Sequence, residues 1–69
     1  MSYMPIFEFS HGEHVGNGQR FATEAEAMSS AARRFQVWTM PTGYHVEKST
    51  DGVNYRWDDD LGDVMINRS

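Results

Sequence analysis

Apolar and polar residues alternate along several short stretches of this chain, and one longer stretch has apolar residues three and four positions apart. Alternation is typical of a strand with one buried face, and the longer spacing is typical of an amphipathic helix. The predicted strands are residues 5–10, 19–21, 36–40, 44–50 and 53–57, with the helix at 23–35 and a further short apolar segment at 64–66. The pattern predicts an α+β fold in which one helix packs on a small antiparallel sheet of four to five strands, in the order ββαββ(β).

The predicted helix begins with a capping box. Thr23 can accept a hydrogen bond from the Glu26 amide, while the Glu26 side chain can reach back to the Thr23 amide. Glutamates in the first turn and Arg33 and Arg34 in the last turn match the helix dipole at both ends. The predicted apolar face consists of Ala25, Met28, Ala32 and Phe35.

Two turn signals fix the predicted register of the last three strands. Asp51-Gly52 favours a two-residue hairpin loop, which pairs His45 with Asp58 and Glu47 with Arg56. Pro41-Thr42-Gly43 favours a three-residue loop with its glycine in the left-handed region, joining strands 36–40 and 44–50. The two registers agree on an inner, helix-facing set: Trp38, Met40, Tyr44, Val46, Tyr55 and Trp57. The predicted outer face displays Glu8, Thr39, His45, Glu47, Asn54, Arg56 and Asp58.

Length and composition predict one domain, residues 1–69, near the lower size limit for a fold with a single hydrophobic core. The chain has no cysteine, which excludes disulfides and thiolate metal sites. Four Phe, three Tyr and two Trp residues supply the apolar area for a core. Whether Trp38, Tyr55 and Trp57 are buried stays open. If exposed, they would form an aromatic row, which is a platform for bases or protein partners.

The formal net charge of −4 favours a basic partner and opposes general affinity for nucleic acid or anionic membranes. The clearest acidic feature is a run of four carboxylates, Asp58, Asp59, Asp60 and Asp63, directly after the predicted strand 53–57. Its spacing does not match a calcium loop, since position six would be Asp63 and position twelve Ser69. The run is either a solvated edge that adds solubility or a contact for arginines and lysines that otherwise hold phosphates, and the functional hypothesis uses the second interpretation.

No motif predicts catalysis, because nucleophile elbows, phosphate loops and paired catalytic carboxylates are all missing from the sequence. His11 and His14 lie in a glycine-containing loop that does not fix their spacing, and with His45 they do not predict a metal site. We therefore expect no enzyme activity, metal or cofactor. Without a membrane-length apolar run or a secretory signal we expect a cytosolic protein, in which Asn67-Arg68-Ser69 matches a glycosylation acceptor by chance.

Four segments together resemble a class of very small phage and mobile-element proteins. They are residues 20–27, with the sequence RFATEAEA, then Trp38-Thr39, then residues 45–49, HVEKS, and residues 53–57, VNYRW. In that class a similar helix start precedes a tryptophan-bearing strand and a hairpin that ends in an asparagine-tyrosine pair. Its members with an assigned function include host-defence antagonists such as anti-CRISPR inhibitors, which are similarly small, acidic and non-catalytic.

The resemblance and the charge together lead to one main hypothesis, a phage-type inhibitor that blocks the basic nucleic-acid-binding surface of a host complex, such as a CRISPR effector, in the host cytosol. The predicted partner-binding residues are Glu47, Asp58, Asp59, Asp60, Asp63, His45, Asn54 and Arg56. One alternative is a nucleic-acid-binding regulator that uses Arg20, Arg33, Arg34 and exposed aromatic side chains. Another is a self-associating module, so the chain is expected to be a monomer or a homodimer.

Overall fold

The computed structural model describes residues 1–66, and the 67–69 acceptor pattern lies outside the described residues. The predicted α+β class is confirmed, and the element order is ββαβββ. The elements are β1 (Ser2–Glu8), β2 (His14–Gly16), α1 (Glu24–Val37), β3 (Gly43–Ser49), β4 (Tyr55–Asp58) and β5 (Gly62–Met65). The strands form two antiparallel sheets, one with the order β2-β1-β3 and one made of β4 and β5.

The predicted capping box starts α1. The Glu26 amide donates to Thr23 Oγ1 over 3.1 Å, and the Thr23 hydroxyl donates to Glu26 Oε1 over 3.1 Å, so the reciprocal bond comes from the hydroxyl rather than the amide. The helix continues to Val37, and the Trp38 amide donates to Arg34 O at its end. The predicted strand at 36–40 is therefore wrong.

The face of α1 that is most deeply buried also differs from the prediction. Ala27, Ser30 and Ala31 are buried, whereas Ala25 and Met28 are exposed. Both faces carry alanines at helical spacing, so the period alone does not distinguish them.

Both predicted hairpins around residues 44–50 are wrong. β3 pairs with β1 along its whole length, from Ser2↔Ser49 to Glu8↔Gly43, and β4 pairs with β5. Neither Gly43 nor Gly52 has a positive φ, so neither forms the tight turn that its sequence favours. The predicted pairs His45–Asp58 and Glu47–Arg56 consequently do not form.

The hairpins that do form turn at other glycines. Gly12, with φ +89°, lies in the β1–β2 turn, and Gly62, with φ +81°, closes the β4–β5 turn. The predicted strand at 19–21 reduces to one bridge, in which Phe21 and Tyr3 exchange two backbone hydrogen bonds of 2.8 Å. The Asn54 and Tyr55 amides donate to Arg20 O, which continues the backbone contacts from Phe21 to β4.

The core lies between α1 and the β2-β1-β3 sheet. Phe7, Phe21, Ala27 and Ala31 are at most 1% exposed, and Ile6 is 6% exposed. The three aromatic residues left open by the sequence, Trp38, Tyr55 and Trp57, are all half-buried, and Met40, predicted to face inward, is 70% exposed. Among residues 1–66 no helix has the length and apolar character needed to cross a bilayer.

Candidate protein-binding surface

The turn between β4 and β5 presents an acidic tip, which we define as Asp59, Asp60 and Leu61. Asp58 Oδ1 holds this turn by accepting hydrogen bonds from the Leu61 amide, at 2.9 Å, and the Asp60 amide, at 2.8 Å. These bonds, and then the contact with Arg56, lower the pKa of the Asp58 carboxyl. Asp59 accepts a hydrogen bond of 3.0 Å from the Trp57 indole, and Leu61 is 71% exposed. The tip therefore offers two carboxylates and an apolar side chain on a constrained backbone.

Asp63 belongs to the scaffold rather than to this tip. Its Oδ2 accepts from Gln19 Nε2 over 2.8 Å and from Arg34 Nη2 over 3.2 Å, and the side chain is only 20% exposed. These bonds attach β5 to α1 and to the segment before it. The predicted surface role of Asp63 therefore has little geometric support.

The same hairpin is attached to α1 by two further contacts. Glu26 Oε2 accepts a hydrogen bond of 2.9 Å from the Trp57 amide, and the Arg33 guanidinium lies 5.9 Å from the centre of the Trp57 ring. Asn54 is also structural, because its Oδ1 accepts from the Arg20 amide and its Nδ2 donates to Gly18 O. The acidic tip is thus carried by a hairpin that polar contacts fix on one flank of α1.

Gly62 provides a test of how this hairpin closes. A Cβ at Gly62 would lie 2.6 Å from Arg33 Nη1, whereas a Cβ at Gly18, which shares the φ of +81°, would meet no atom within 4 Å. We expect both Gly18→Ala and Gly62→Ala to lower the free energy of unfolding by about 1–2 kcal/mol, the cost of a left-handed alanine. Gly62→Ala should lose roughly a further 0.5–1 kcal/mol because Arg33 leaves the Trp57 ring.

Urea denaturation of the two glycine variants measures this difference. Indole fluorescence, measured in a Trp38→Phe background in which Trp57 is the remaining tryptophan, reports whether the arginine has moved. Equal destabilisation with unchanged fluorescence would mean that Arg33 does not hold the hairpin.

A second polar cluster lies on the face of the β1–β3 ladder opposite α1. His45 Nδ1 is 2.6 Å from Glu8 Oε2, and His45 Nε2 is 2.7 Å from Glu47 Oε2. Hydrogen bonding to Glu47 and then to Glu8 raises the pKa of His45, because both carboxylates favour the doubly protonated ring. The His14 ring, on β2, lies edge-on at 5.5 Å from the His45 ring.

This cluster predicts a pH-dependent stability. Because the folded pKa of His45 lies above 6.5, its contribution is complete below pH 6.5 and is lost as the pH rises through the folded value. We expect the free energy of unfolding, measured in urea, to fall as the pH rises from 6.5 through the folded pKa of His45. His45→Gln should remove the part of this fall that His45 causes. An identical pH profile in His45→Gln would contradict the assignment.

The structure brings the predicted partner-binding residues together in two groups rather than one. Arg56, Asp58, Asp59 and Asp60 lie at the β4–β5 hairpin, while His45 and Glu47 lie on β3 beside Glu8. The predicted sheet would have joined the groups, but β3 and β4 do not pair.

Sequence reasoning missed Leu61 as a surface residue; its signal is one apolar residue inside an acidic run.

A cleft of about 260 Å³ adjoins the acidic tip on the side of α1. It contains two guanidinium groups, two aliphatic side chains and the Asp63 carboxylate, whose Oδ1 is buried with no hydrogen-bond donor within residues 1–66. No cluster of three or more potential metal ligands occurs in the same described part of the chain. The residues that line the cleft are Ser30, Arg33, Arg34, Val37, Leu61, Gly62 and Asp63.

The arginines are largely engaged within the fold. Arg20 Nε is 3.2 Å from Asp51 Oδ2, Arg34 pairs with Asp63, and Arg56 Nη1 is 3.4 Å from Asp58 Oδ2.

Comparisons with protein-family models, curated proteins and solved structures find no match to this chain.

Proposed function

We propose that this protein is a non-catalytic inhibitor that binds a basic protein surface through its acidic tip. The observation that carries the proposal is the exposure of Asp59, Asp60 and Leu61 on a turn whose backbone is fixed by Asp58. A constrained loop loses little conformational entropy on binding, so its contacts contribute more to affinity.

The carboxylates of the tip are complementary to a basic site that normally binds phosphates. Arginines and lysines arranged for phosphate form charge-assisted hydrogen bonds with carboxylates as well. The net charge of −4 speeds encounter with such a surface. Leu61 adds an apolar side chain that can enter a pocket at the centre of the interface, where binding energy concentrates.

The target that we propose is a nucleic-acid-handling host complex, with a CRISPR effector as the first candidate. The acidic tip supports a basic nucleic-acid channel as the binding site, and the resemblance to small phage antagonists supports the choice of complex. Such an inhibitor acts in the host cytosol, where the effector is found, and requires no cofactor.

A nucleic-acid-binding regulator is less well supported. It needs Arg20, Arg33 and Arg34 to contact phosphates, but Arg20 and Arg34 pair with carboxylates and Arg33 lies over the Trp57 ring. The negative net charge also opposes approach to nucleic acid. We expect no mobility shift with single- or double-stranded DNA or RNA at low salt, and a clear shift would favour the regulator.

The inhibitor proposal is tested with a panel of purified CRISPR effectors loaded with guide RNA. We expect the wild-type protein to prevent target-DNA binding by at least one of them, measured by mobility shift. Asp59→Lys/Asp60→Lys should weaken inhibition by at least ~100-fold, since each lysine replaces an attraction by a repulsion. Glu13→Lys/Glu24→Lys is the matched control, because it changes the net charge equally at exposed positions outside the tip; since Glu24 lies in the first turn of α1, far-UV spectra first verify that both double variants are folded.

The two double variants separate a specific contact from a general charge effect. Inhibition should survive in Glu13→Lys/Glu24→Lys and be lost in Asp59→Lys/Asp60→Lys. Equal loss in both would contradict the assignment to the tip. Unimpaired DNA binding by every effector at saturating wild-type protein would contradict the CRISPR target.

A further inference from the structure

Within residues 1–66, the outer edge of β3 is an open sheet edge. The sheet order β2-β1-β3 leaves β3 with one neighbour, and no residue of β3 is fully buried. On the opposite side of the molecule, Phe21 bridges to Tyr3 of β1 and the Tyr55 amide donates to Arg20 O, so contacts continue from β1 towards β4. In this described part of the chain, β3 is therefore the longer of the two edge strands of this sheet, since the other edge, β2, has three residues and β3 has seven.

The pairing with β1 determines which backbone groups of β3 point outward. Tyr3 directs its N–H and C=O to Phe21, away from β3, and its partner in the ladder is Lys48. Because hydrogen-bonded and non-hydrogen-bonded pairs alternate in an antiparallel ladder, Val46 and Tyr44 share this arrangement with Lys48. No hydrogen bond within residues 1–66 engages the outward groups of these three residues.

We infer that this edge is a self-association surface on which two copies of the chain pair, β3 against antiparallel β3, about a two-fold axis at Val46. This register places Val46 opposite Val46 of the second copy and Tyr44 opposite Lys48. It is the register that pairs all three outward residues, with two hydrogen bonds at each pair. The inference does not depend on the acidic tip, which lies on a different sheet.

Side-chain chemistry is complementary in the same register. On the polar face, His45 of one copy lies opposite Glu47 of the other, twice by symmetry; within each copy His45 Nε2 is already 2.7 Å from Glu47 Oε2, so these polar side chains form one row across the edge. On the α1 face, the Lys48 ammonium approaches the Tyr44 ring, a favourable cation–π arrangement. A lone edge lysine normally discourages strand pairing, but here it meets an aromatic ring rather than a second lysine.

The exposed stripe of α1 lies on the same side as this edge. Phe35 contacts Tyr44 of β3, with ring centres 5.1 Å apart, whereas Glu26 and Arg33 contact the β4–β5 hairpin on the other flank. The flank nearest the β3 edge therefore carries the apolar stripe that the helical pattern predicts to be buried. The single chain leaves its four residues at least partly exposed: Ala25, Met28, Ala32 and Phe35. A second copy supplies the missing cover.

The spacing of the two helices is compatible with this cover. α1 packs on both β1 and β3, so its axis lies above the gap between them. With strands about 4.8 Å apart, two helices related by an axis at the β3 edge lie about 10 Å apart. That is the upper end of the usual 8–10 Å for packed helices. Edge pairing and helix packing can thus form together.

Sedimentation velocity over a concentration series tests the inference. We expect the wild-type chain to dimerise as concentration rises from about 1 µM to 1 mM, in the range of modest interfaces. Met28→Lys should weaken the dimer at least ~10-fold by placing two like charges between the helices. Met65→Lys, the same change in charge at an exposed residue of β5, should dimerise as the wild type does.

Amide hydrogen exchange identifies the edge itself. Protection of the Tyr44, Val46 and Lys48 amides should increase with protein concentration, while the His45 and Glu47 amides, bonded to β1, should be protected throughout. Val46→Pro should abolish the dimer while retaining the native far-UV spectrum, because the amide that it removes points outward. A monomeric wild type at 1 mM, or a dimer without concentration-dependent protection of these three amides, would overturn the inference.

Discussion

Phe21→Ala is expected to lower the free energy of unfolding by about 3–5 kcal/mol, which for a small domain is a large part of the total. Phe21 is fully buried, with its ring 6.1 Å from that of Tyr55. Phe21 lies between the two sheets, because its backbone is hydrogen-bonded to Tyr3 of β1 and the neighbouring Arg20 O accepts from the Tyr55 amide of β4. The cavity would therefore open between the sheets. The backbone bonds to Tyr3 do not depend on the side chain and would not fill the cavity.

Equilibrium urea denaturation of the variant measures this loss. Phe21→Leu is the matched control, because it retains most of the volume and should cost less than about 1.5 kcal/mol. A Phe21→Ala variant within 1 kcal/mol of the wild type would mean that the ring does not join the two sheets. Equal losses in the two variants would indicate that ring shape, rather than cavity volume, sets the cost.

The parts of the fold that were predictable from sequence are those fixed by local chemistry. Thr23 and Glu26 are three residues apart, so the start of α1 depends on no distant partner. The α+β class likewise follows from alternating and helical spacing along the chain. The strand partners did not follow, because Asp51-Gly52 and Pro41-Thr42-Gly43 favour local hairpins that compete with a distant strand.

That competition is decided by the ladder between β1 and β3. It joins seven residue pairs that span the chain from Ser2 to Ser49, more contact than either short hairpin offers. The Asp51 loop is then held by Ser2, whose hydroxyl donates to Asp51 O, and by Arg20. Each cross-strand pair contributes roughly 0.2–1 kcal/mol, so the seven pairs of this ladder together outweigh a local turn preference.

The acidic run shows the same limit at the level of the candidate site. Its charge was evident from composition, but its division into an exposed tip and a structural Asp63 was not. Arg34 and Gln19, which engage Asp63, are 29 and 44 residues away along the chain. Only the hydrogen bonds of Asp63 to Arg34 and Gln19 in the folded chain distinguish the aspartates that remain available from the one that holds the hairpin.

Ala31→Leu is expected to lower the free energy of unfolding by about 1–3 kcal/mol, because Ala31 is fully buried between α1 and the sheet. The added carbons would push the helix away from β1 and β3, on which it packs. Ala25→Leu places the same side chain on the face that the sequence pattern predicts to be buried and the structure exposes. We expect it to change stability by no more than about 0.5 kcal/mol.

Urea denaturation at one low protein concentration compares the two leucine variants, so that self-association does not enter the result. The sign of the difference distinguishes the two faces of the helix. A larger loss in Ala25→Leu would mean that α1 is rotated and that the predicted stripe faces the sheet. The expected result, a larger loss in Ala31→Leu, would mean that the core of a single chain does not require the apolar residues of that stripe. The stripe is then available to a second copy.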